Sequence, residues 1–155
     1  AAALPGCGLC MGGGGRLRAW VRPASPANRP GLPPWGQSAD LPLHEADLWL
    51  YTASWSGVPQ MLLEVGMTGV PVVASAAGGT PEVVGPGRGR LLAPEAGVED
   101  YVAAIRAVLD DPATARTQAQ ALRDHLIATH TKSAYALALG RVLDLPPPGI
   151  APEES

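Results

Sequence analysis

The sequence has few of the residues on which several classes of protein depend. Among its 155 residues there are two cysteines, Cys7 and Cys10, one lysine and no phenylalanine. Two cysteines are too few for a disulfide framework or a four-cysteine zinc site. The net charge of −3 argues against binding nucleic acid through a basic face, and no apolar run approaches the roughly 18 residues of a membrane span. We therefore expect a soluble, intracellular domain.

The distribution of glycine, proline and charge divides the chain into three parts. Residues 1–39 contain eight Gly, six Pro, four Arg and no acid, whereas residues 40–155 contain 14 acidic and seven basic side chains. A segment without hydrophobic periodicity cannot bury enough apolar surface to offset its ordering entropy. We therefore expect a disordered Gly/Pro/Arg head at 1–34 and a disordered Pro-rich tail at 146–155. The folded domain is predicted over 35–145.

Apolar runs alternate with helical patterns through this middle part. The alternation predicts an α/β fold with a parallel sheet, which is half of a doubly wound sheet followed by three helices. Gly69 and Asp111 supply helix ends, and Thr80 is predicted to cap a short helix. Strands are expected at 48–52, 70–75 and 90–92, and helices at 60–68, from 80, at 98–110, at 112–129 and at 133–143. In the third helix, the apolar positions 98, 102, 105 and 109 keep helical spacing.

Two predicted loops lie at the edge of the sheet where ligands bind, beyond the carboxyl ends of the strands. Loops 53–58 and 76–80 both lead into helix N-termini, whose free N–H groups favour an anion such as a diphosphate. Gly57 and Gly78-Gly79 would let the backbone approach that anion closely. Glu64, in the first helix, could accept hydrogen bonds from the hydroxyls of a sugar. Alternatively, Glu64 is a solvated acid and the glycines only turn the chain.

Other polar and aromatic residues suggest no site. His125 and His130 are five residues apart, a spacing that does not place two rings on one helix face, so we expect surface histidines. Trp49 and Trp55 are expected to serve core and loop packing. No acidic pair indicates a metal site, and no metal is expected.

The order of motifs along the chain resembles that of a known family. The matching segments are 40–42, 46–51, 56–65, 68–73 and 78–84. Together they resemble the C-terminal, donor-binding domain of GT-B retaining glycosyltransferases of family four, also called group 1, from about Trp35 to about Leu145. The resemblance implies a Rossmann-like half-domain with helices on both faces of the sheet. It also implies a nucleotide-diphosphate sugar as donor substrate, with no further cofactor and no metal.

The resemblance assigns roles to individual residues. The family has two glutamates eight residues apart, of which the second falls on Glu64 and would bind the nucleotide ribose. The first position is Ser56 in this chain, which leaves the catalytic residue open because a serine supplies no charge. Gly57-Val58 match the loop whose amides meet the donor, and Gly78-Gly79 with Glu82 match the glycine–glutamate motif near it. For Glu82, the alternative is an acid that stabilises the first turn of a helix.

The chain also departs from the family. The family holds the leaving diphosphate with an upstream Arg and Lys, but the only lysine here is Lys132. Four arginines do lie upstream, in a head that matches nothing in the family: Arg16, Arg18, Arg22 and Arg29. The N-terminal acceptor-binding domain is missing, so we expect a glycosyltransferase fragment that is inactive alone and needs a separate acceptor-binding domain as partner. The alternatives are a non-catalytic nucleotide-sugar-binding or partner-binding module and, less well matched, a sugar-nucleotide epimerase. The expected location is the cytoplasm, and peripheral association with the inner face of the membrane is the alternative.

Overall fold

Three short parallel strands form the sheet in the computed structural model, which describes Leu43 and residues 46–144. The strands are β1 (Trp49–Tyr51), β2 (Val72–Ser75) and β3 (Arg90–Leu92), in the order β1-β2-β3. The register pairs Tyr51 with Ala74 and Ala74 with Leu91. The described helices are α1 (Gln60–Thr68), α2 (Thr80–Val83), α3 (Val98–Asp110), α4 (Pro112–Thr129) and α5 (Lys132–Val142). The predicted disorder of 1–34 and 146–155 lies outside the described residues.

Alternate side chains of the central strand point to the two faces of the sheet. All four residues of β2 are buried, as expected for a strand covered on both sides. On one face, Val72 and Ala74 pack with α1, α2 and the second half of α4, through Leu62, Val65, Val83, Val84, Leu122 and Leu126. On the other face, Val73 packs with Ala104, Val108 and Ala115 of α3 and α4. The prediction of an α/β fold with helices on both faces is therefore confirmed.

Local sequence signals fix most helix ends. Gly69 follows α1 at φ +80, the left-handed conformation that glycine adopts without steric cost, and its amide donates to the carbonyl of Gly66 at 3.3 Å. Asp111 separates α3 from α4, and its Oδ1 accepts from the amide of Thr114 at 3.1 Å. The prediction for Thr80 was wrong. Gly79 occupies the N-cap, and Thr80 is the first helical residue, with a buried hydroxyl that has no partner among the described residues.

Two of the four predicted apolar positions of α3 are at least partly buried, Val102 and Ile105. Val102 is buried, but Val98 is 77% exposed and Leu109 is also exposed. The buried stripe instead includes Ala104 and Val108. A small residue permits close approach of the helix to Val73, which a count of large apolar side chains does not register.

The last described helix, α5, covers little of the core. Thr131 caps it by accepting from the amide of Ala134 at 3.1 Å. Gly140 is its only buried residue, and Tyr135 and Val142 are largely exposed. No helix in the described range has the length and apolar character needed to cross a membrane.

Candidate functional site

The loops that follow β1 and β2 lie side by side at the carboxyl edge of the sheet. The first loop, residues 52–59, connects β1 to α1, and the second loop, residues 76–79, connects β2 to α2. Because β1 and β2 are parallel neighbours, both loops leave the sheet at the same edge. This is the edge at which open α/β sheets bind ligands.

Direct hydrogen bonds hold the two loops together. The amide of Gly79 donates to the carbonyl of Gly57 at 3.0 Å and lies 3.4 Å from the carbonyl of Ser56. The hydroxyl of Ser75, at the end of β2, donates to the carbonyl of Ala53 in the first loop. The edge is therefore a single backbone surface built from both loops, and the structure brings Ser56, Gly57, Gly78 and Gly79 together, as the sequence analysis expected.

The glycines of this surface are required for different reasons. A Cβ atom on Gly78 would lie 1.6 Å from the carbonyl oxygen of Ser56, and Gly78 has φ +56. A Cβ atom on Gly79 would lie 2.8 Å from the carbonyl oxygen of Gly57. Packing alone thus demands glycine at 78 and 79. Gly57 differs, because a Cβ atom there would meet nothing within 4 Å, so the described fold gives no packing reason for glycine at 57.

Several backbone N–H groups at this edge have no acceptor in the described part of the chain. They belong to Gly57, Val58 and Gly78 in the loops and to Gln60 and Met61 in the first turn of α1. Pro59 is the N-cap of α1 and provides no side-chain cap. Free N–H groups at the start of a helix, together with the helix dipole, attract anions. Neither loop contains a lysine or an arginine, so the positive character of this edge comes from the backbone.

Glu64 extends back towards the beginning of α1. Its Oε1 accepts a hydrogen bond from Nε2 of Gln60, the first residue of the helix, at 2.9 Å. Side chains of a helix lean towards its N-terminus, which agrees with this contact. Glu64 is half-buried, and its described partner is a residue of the same helix, four positions earlier. Its carboxylate is directed to the end of α1 that meets the two loops.

Ser56 is held by both its backbone and its side chain. Its hydroxyl accepts from the hydroxyl of Tyr51, the last residue of β1, at 3.0 Å. Its carbonyl lies against Gly78. The side chain is half-buried and carries no charge, so it could give or accept one further hydrogen bond but could not supply a carboxylate.

A comparison with protein families identifies the fold. Residues 37–125 match the model of the glycosyl transferases group 1 family, which is more than half of the chain. The chain belongs to this family. The resemblance noted in the sequence is therefore confirmed, and the α/β half-domain is that of a GT-B glycosyltransferase.

Individual group 1 relatives match over most of this chain. It is 35% identical over 125 residues to a D-inositol 3-phosphate glycosyltransferase of Kribbella flavida, which covers 76% of this chain and 28% of the relative. It is 33% identical over 100 residues to a glycogen synthase of Mycobacterium tuberculosis, covering 64% of this chain and 24% of the relative. The chain thus spans about a quarter of the length of these curated relatives.

Solved structures agree with this assignment. A sucrose-phosphate synthase from Thermosynechococcus elongatus superposes with a TM-score of 0.59 and 29% identity, over 66% of this chain and 26% of that one. The crystal structure of TarM gives the same TM-score at 18% identity, over 70% of this chain and 22% of that one, which supports the fold alone.

Two further predicted site residues in this group 1 domain are exposed. Val58 is 55% exposed, next to Gly57. Glu82 lies in α2, and its amide donates to the carbonyl of Gly79 at 3.1 Å, so its backbone adjoins the second loop. The Glu82 carboxylate accepts no hydrogen bond from the residues described, and its carbonyl accepts from Nη2 of Arg88 at 3.3 Å.

Trp55 borders the joined loops, but its exposure differs from the expectation. It was expected to pack within the loop, but it is 82% exposed, directly before Ser56. An exposed indole next to free backbone N–H groups could stack on a planar ring.

A separate cleft contains none of the predicted site residues. It has a volume of about 540 Å³ and lies along β3, α3 and α4, lined by Arg90, Asp100 and Gln118 around alanine residues. Within the described range, no group of three or more His, Cys, Asp or Glu residues could hold a metal ion. The candidate site at the carboxyl edge thus consists of loop backbone and the carboxylate of Glu64.

Proposed function

We propose that this group 1 glycosyltransferase domain binds the nucleotide diphosphate of a sugar donor at the joined loops and serves glycosyl transfer to an acceptor. The observation that carries the proposal is the joining of the two loops, which gathers free backbone N–H groups at the start of α1. The domain proposed to do this is residues 35–145. The names of its relatives agree in class, since they include a glycosyltransferase and synthases of sugar compounds.

The diphosphate would occupy the space in front of Gly57, Val58 and the first turn of α1. The backbone N–H groups there have no protein acceptor, and a charge-assisted hydrogen bond to phosphate is about twice as strong as a neutral one. The open space around Gly57 would allow a phosphate oxygen to reach the backbone. The backbone would thus provide part of the stabilisation that a cationic pair supplies in other family members.

The ribose would lie against Glu64. A carboxylate can accept hydrogen bonds from two adjacent hydroxyl groups, and Glu64 now accepts one from Gln60. Gln60 is exposed and can move aside without unfolding α1. Trp55 is then available to stack on the base or on the sugar.

Calorimetric titration of the whole 155-residue chain with UDP-, GDP- and ADP-sugars tests this proposal. Glu64→Gln should weaken binding of the preferred donor by about tenfold or more, because hydrogen bonds to a charged group contribute about 1.5–3 kcal/mol. Asp47→Asn removes the same charge from an exposed residue that precedes β1, at the edge of the sheet opposite the loops, and should leave affinity unchanged. If none of the three donors binds, or if both variants lose affinity equally, the proposed donor site is wrong.

Transfer itself needs a second domain in this proposal. GT-B transfer takes place in a cleft between two domains, whose closure aligns the acceptor and excludes water. The chain covers about a quarter of its relatives, so the acceptor-binding part is proposed to be a separate segment or partner. Product formation should require the addition of such a domain, whereas binding of the nucleotide should not.

A non-catalytic binding module is the second candidate, and Ser56 favours it. The hydroxyl of Ser56 is engaged by Tyr51 and offers no carboxylate where related enzymes have one. A chain that binds a donor tightly but releases no nucleoside diphosphate in the presence of a complete acceptor domain would be such a module. Ser56→Glu would then test whether the missing carboxylate is the cause, because it should restore release.

A further inference from the structure

Two histidines and an arginine come together at the end of the sheet opposite the joined loops. Arg88 lies two residues before β3 begins, on the side from which the strands start. Its Nη2 donates to the carbonyl of Glu82 at 3.3 Å. The backbone of Glu82 and the charge of Arg88 both affect the pKa of His125, so His125 lies near the same carbonyl. The ring centres of His125 and His130 are 6.1 Å apart, in an edge-to-face arrangement.

The meeting of these rings corrects the expectation of two separate surface histidines. His130 is the C-cap of α4 and has φ −115, so it has left the helical path on which a spacing of five would separate the rings. His125 is half-buried rather than exposed. The end of α4 thus forms one cationic cluster with Arg88.

The proton positions in this cluster follow from the hydrogen bonds of Thr129. Its hydroxyl donates its single proton to the carbonyl of His125 at 2.6 Å. The contact of 2.8 Å between that hydroxyl and Nδ1 of His130 must therefore be donated by the ring. The other nitrogen of His130, Nε2, is then an acceptor in the neutral ring and becomes a donor only when the ring is protonated.

The cluster contains positive charge without a paired acid. In the described part of the chain, no carboxylate forms an ion pair with Arg88, and its Nε is buried without a partner. Burial lowers the pKa of His125, and the charges of Arg88 and His130 lower it further. Repulsion between like charges at one place is what a bound anion would relieve.

Other charged groups lie on the elements around His125. Along α4 its neighbours are Arg123 and Asp124, whose carboxylate accepts from Gln120 at 2.8 Å. From α1, contact with α4 is made through Gly66 against apolar side chains. Glu82 in α2 contributes its carbonyl, which accepts from Arg88, and its carboxylate is exposed. Lys132 is the first residue of α5.

We propose that Arg88, His125 and His130 form a binding site for a tetrahedral oxyanion of the phosphate type, separate from the donor site. Arg88 would supply guanidinium donors, and His130 would supply Nε2–H once protonated. A bound anion would offset the positive charges that lower the pKa of His125, so binding is coupled to protonation of that ring and strengthens as the pH falls. The site would take either free phosphate or the phosphate group of a monoester.

Proton NMR of the histidine rings of the full chain tests the proposal. Sulfate is the first probe because it remains a dianion between about pH 6 and about pH 7.5, and sodium chloride of equal ionic strength is the salt control. We expect the His125 and His130 signals to titrate with one dissociation constant, the affinity to be several-fold higher at the lower pH, and the pKa of His125 to rise. An equal response to chloride overturns the proposal.

Matched variants separate the site from general charge effects. Arg88→Gln should weaken sulfate binding by about tenfold. Arg116→Gln removes the same charge from an exposed position near the start of α4 and should have no effect. His130→Gln keeps a neutral donor but cannot become positively charged, so it should weaken sulfate binding several-fold at the lower pH. His130 is exposed, so this variant decides the question even if Arg88→Gln fails to fold.

The source of the phosphate group is distinguished by two further titrations at the lower pH. Inorganic phosphate and glycerol phosphate are compared in the unmodified chain and in Arg88→Gln. Tighter binding of the ester indicates a phosphorylated metabolite, and equal or tighter binding of inorganic phosphate indicates the free ion. If neither ligand depends on Arg88, the proposed site is wrong. Donor binding is tested separately with Glu64→Gln, so failure of the anion site would not contradict the proposed donor site, and the reverse also holds.

Discussion

Replacement of Gly78 by alanine should damage the joined loops far more than a typical glycine replacement. The new Cβ atom would lie 1.6 Å from the carbonyl oxygen of Ser56, which is backbone and cannot rotate away. The first and second loops would have to separate, with loss of the bond from Gly79 to Gly57. A left-handed alanine costs about 1 kcal/mol and the lost hydrogen bond about 1 kcal/mol, before any cost of the displaced loop. We expect a total of about 2–4 kcal/mol.

Gly87→Ala is the matched control for this prediction. Gly87 also has a left-handed φ, +76, but a Cβ atom there would meet nothing within 4 Å. Its replacement should cost about 1 kcal/mol, the conformational cost alone. The restriction of the unfolded chain by alanine is the same in both variants and cancels in the comparison.

Urea unfolding followed by circular dichroism measures both variants. With a slope of about 1–3 kcal/mol per molar urea, the extra cost of Gly78→Ala should lower its midpoint by about 1 M relative to Gly87→Ala. If the two midpoints agree within error, the close contact between the loops does not exist in solution. The site built on that contact would then have to be abandoned.

Three other predictions concern the termini and packing of α4. Protonation of His125 is disfavoured in the fold, so stability should decrease as the pH falls from about 6.5 through its lowered pKa, and His125→Gln should flatten that part of the pH–stability curve. Hydrogen bonds from the side chain and amide of Thr114 lower the pKa of Asp111. The stabilising effect of the Asp111 carboxylate should therefore be lost only when the pH falls below the usual pKa of 3.8. Asp111→Ala should remove this part of the pH dependence of stability. Gly66→Ala places a Cβ atom 2.5 Å from Leu126 and should lower the free energy of unfolding by about 1–3 kcal/mol by urea titration, in spite of the better helix propensity of alanine.

The sequence was sufficient for the order and ends of the elements because those depend on local signals. Gly69 ends α1 and Asp111 begins α4 for reasons contained within a few residues of each. Contacts between distant segments were less accessible. Neither the exposure of Trp55 nor the position of Ala104 against Val73 follows from periodicity, because both depend on how neighbouring elements pack.

The histidine cluster shows the same limit at a single residue. Helical spacing gave the wrong answer for His125 and His130 because it assumed that both residues are helical. The helix ends at Thr129, and the hydroxyl of that residue orients the second ring. The sequence analysis also ended this helix at 129, so the error came from applying helical spacing to a residue beyond that end.

The glycines at the carboxyl edge differ in how much they say about function. Gly78 and Gly79 match a family motif, but the contact between the loops requires glycine there whether or not a donor binds. Their presence in a sequence is therefore evidence for the fold. Gly57 and Glu64 are different, because the described packing does not need a glycine at 57 or a carboxylate at 64. Substitution of Gly57 or Glu64 should therefore reduce donor binding without unfolding the domain.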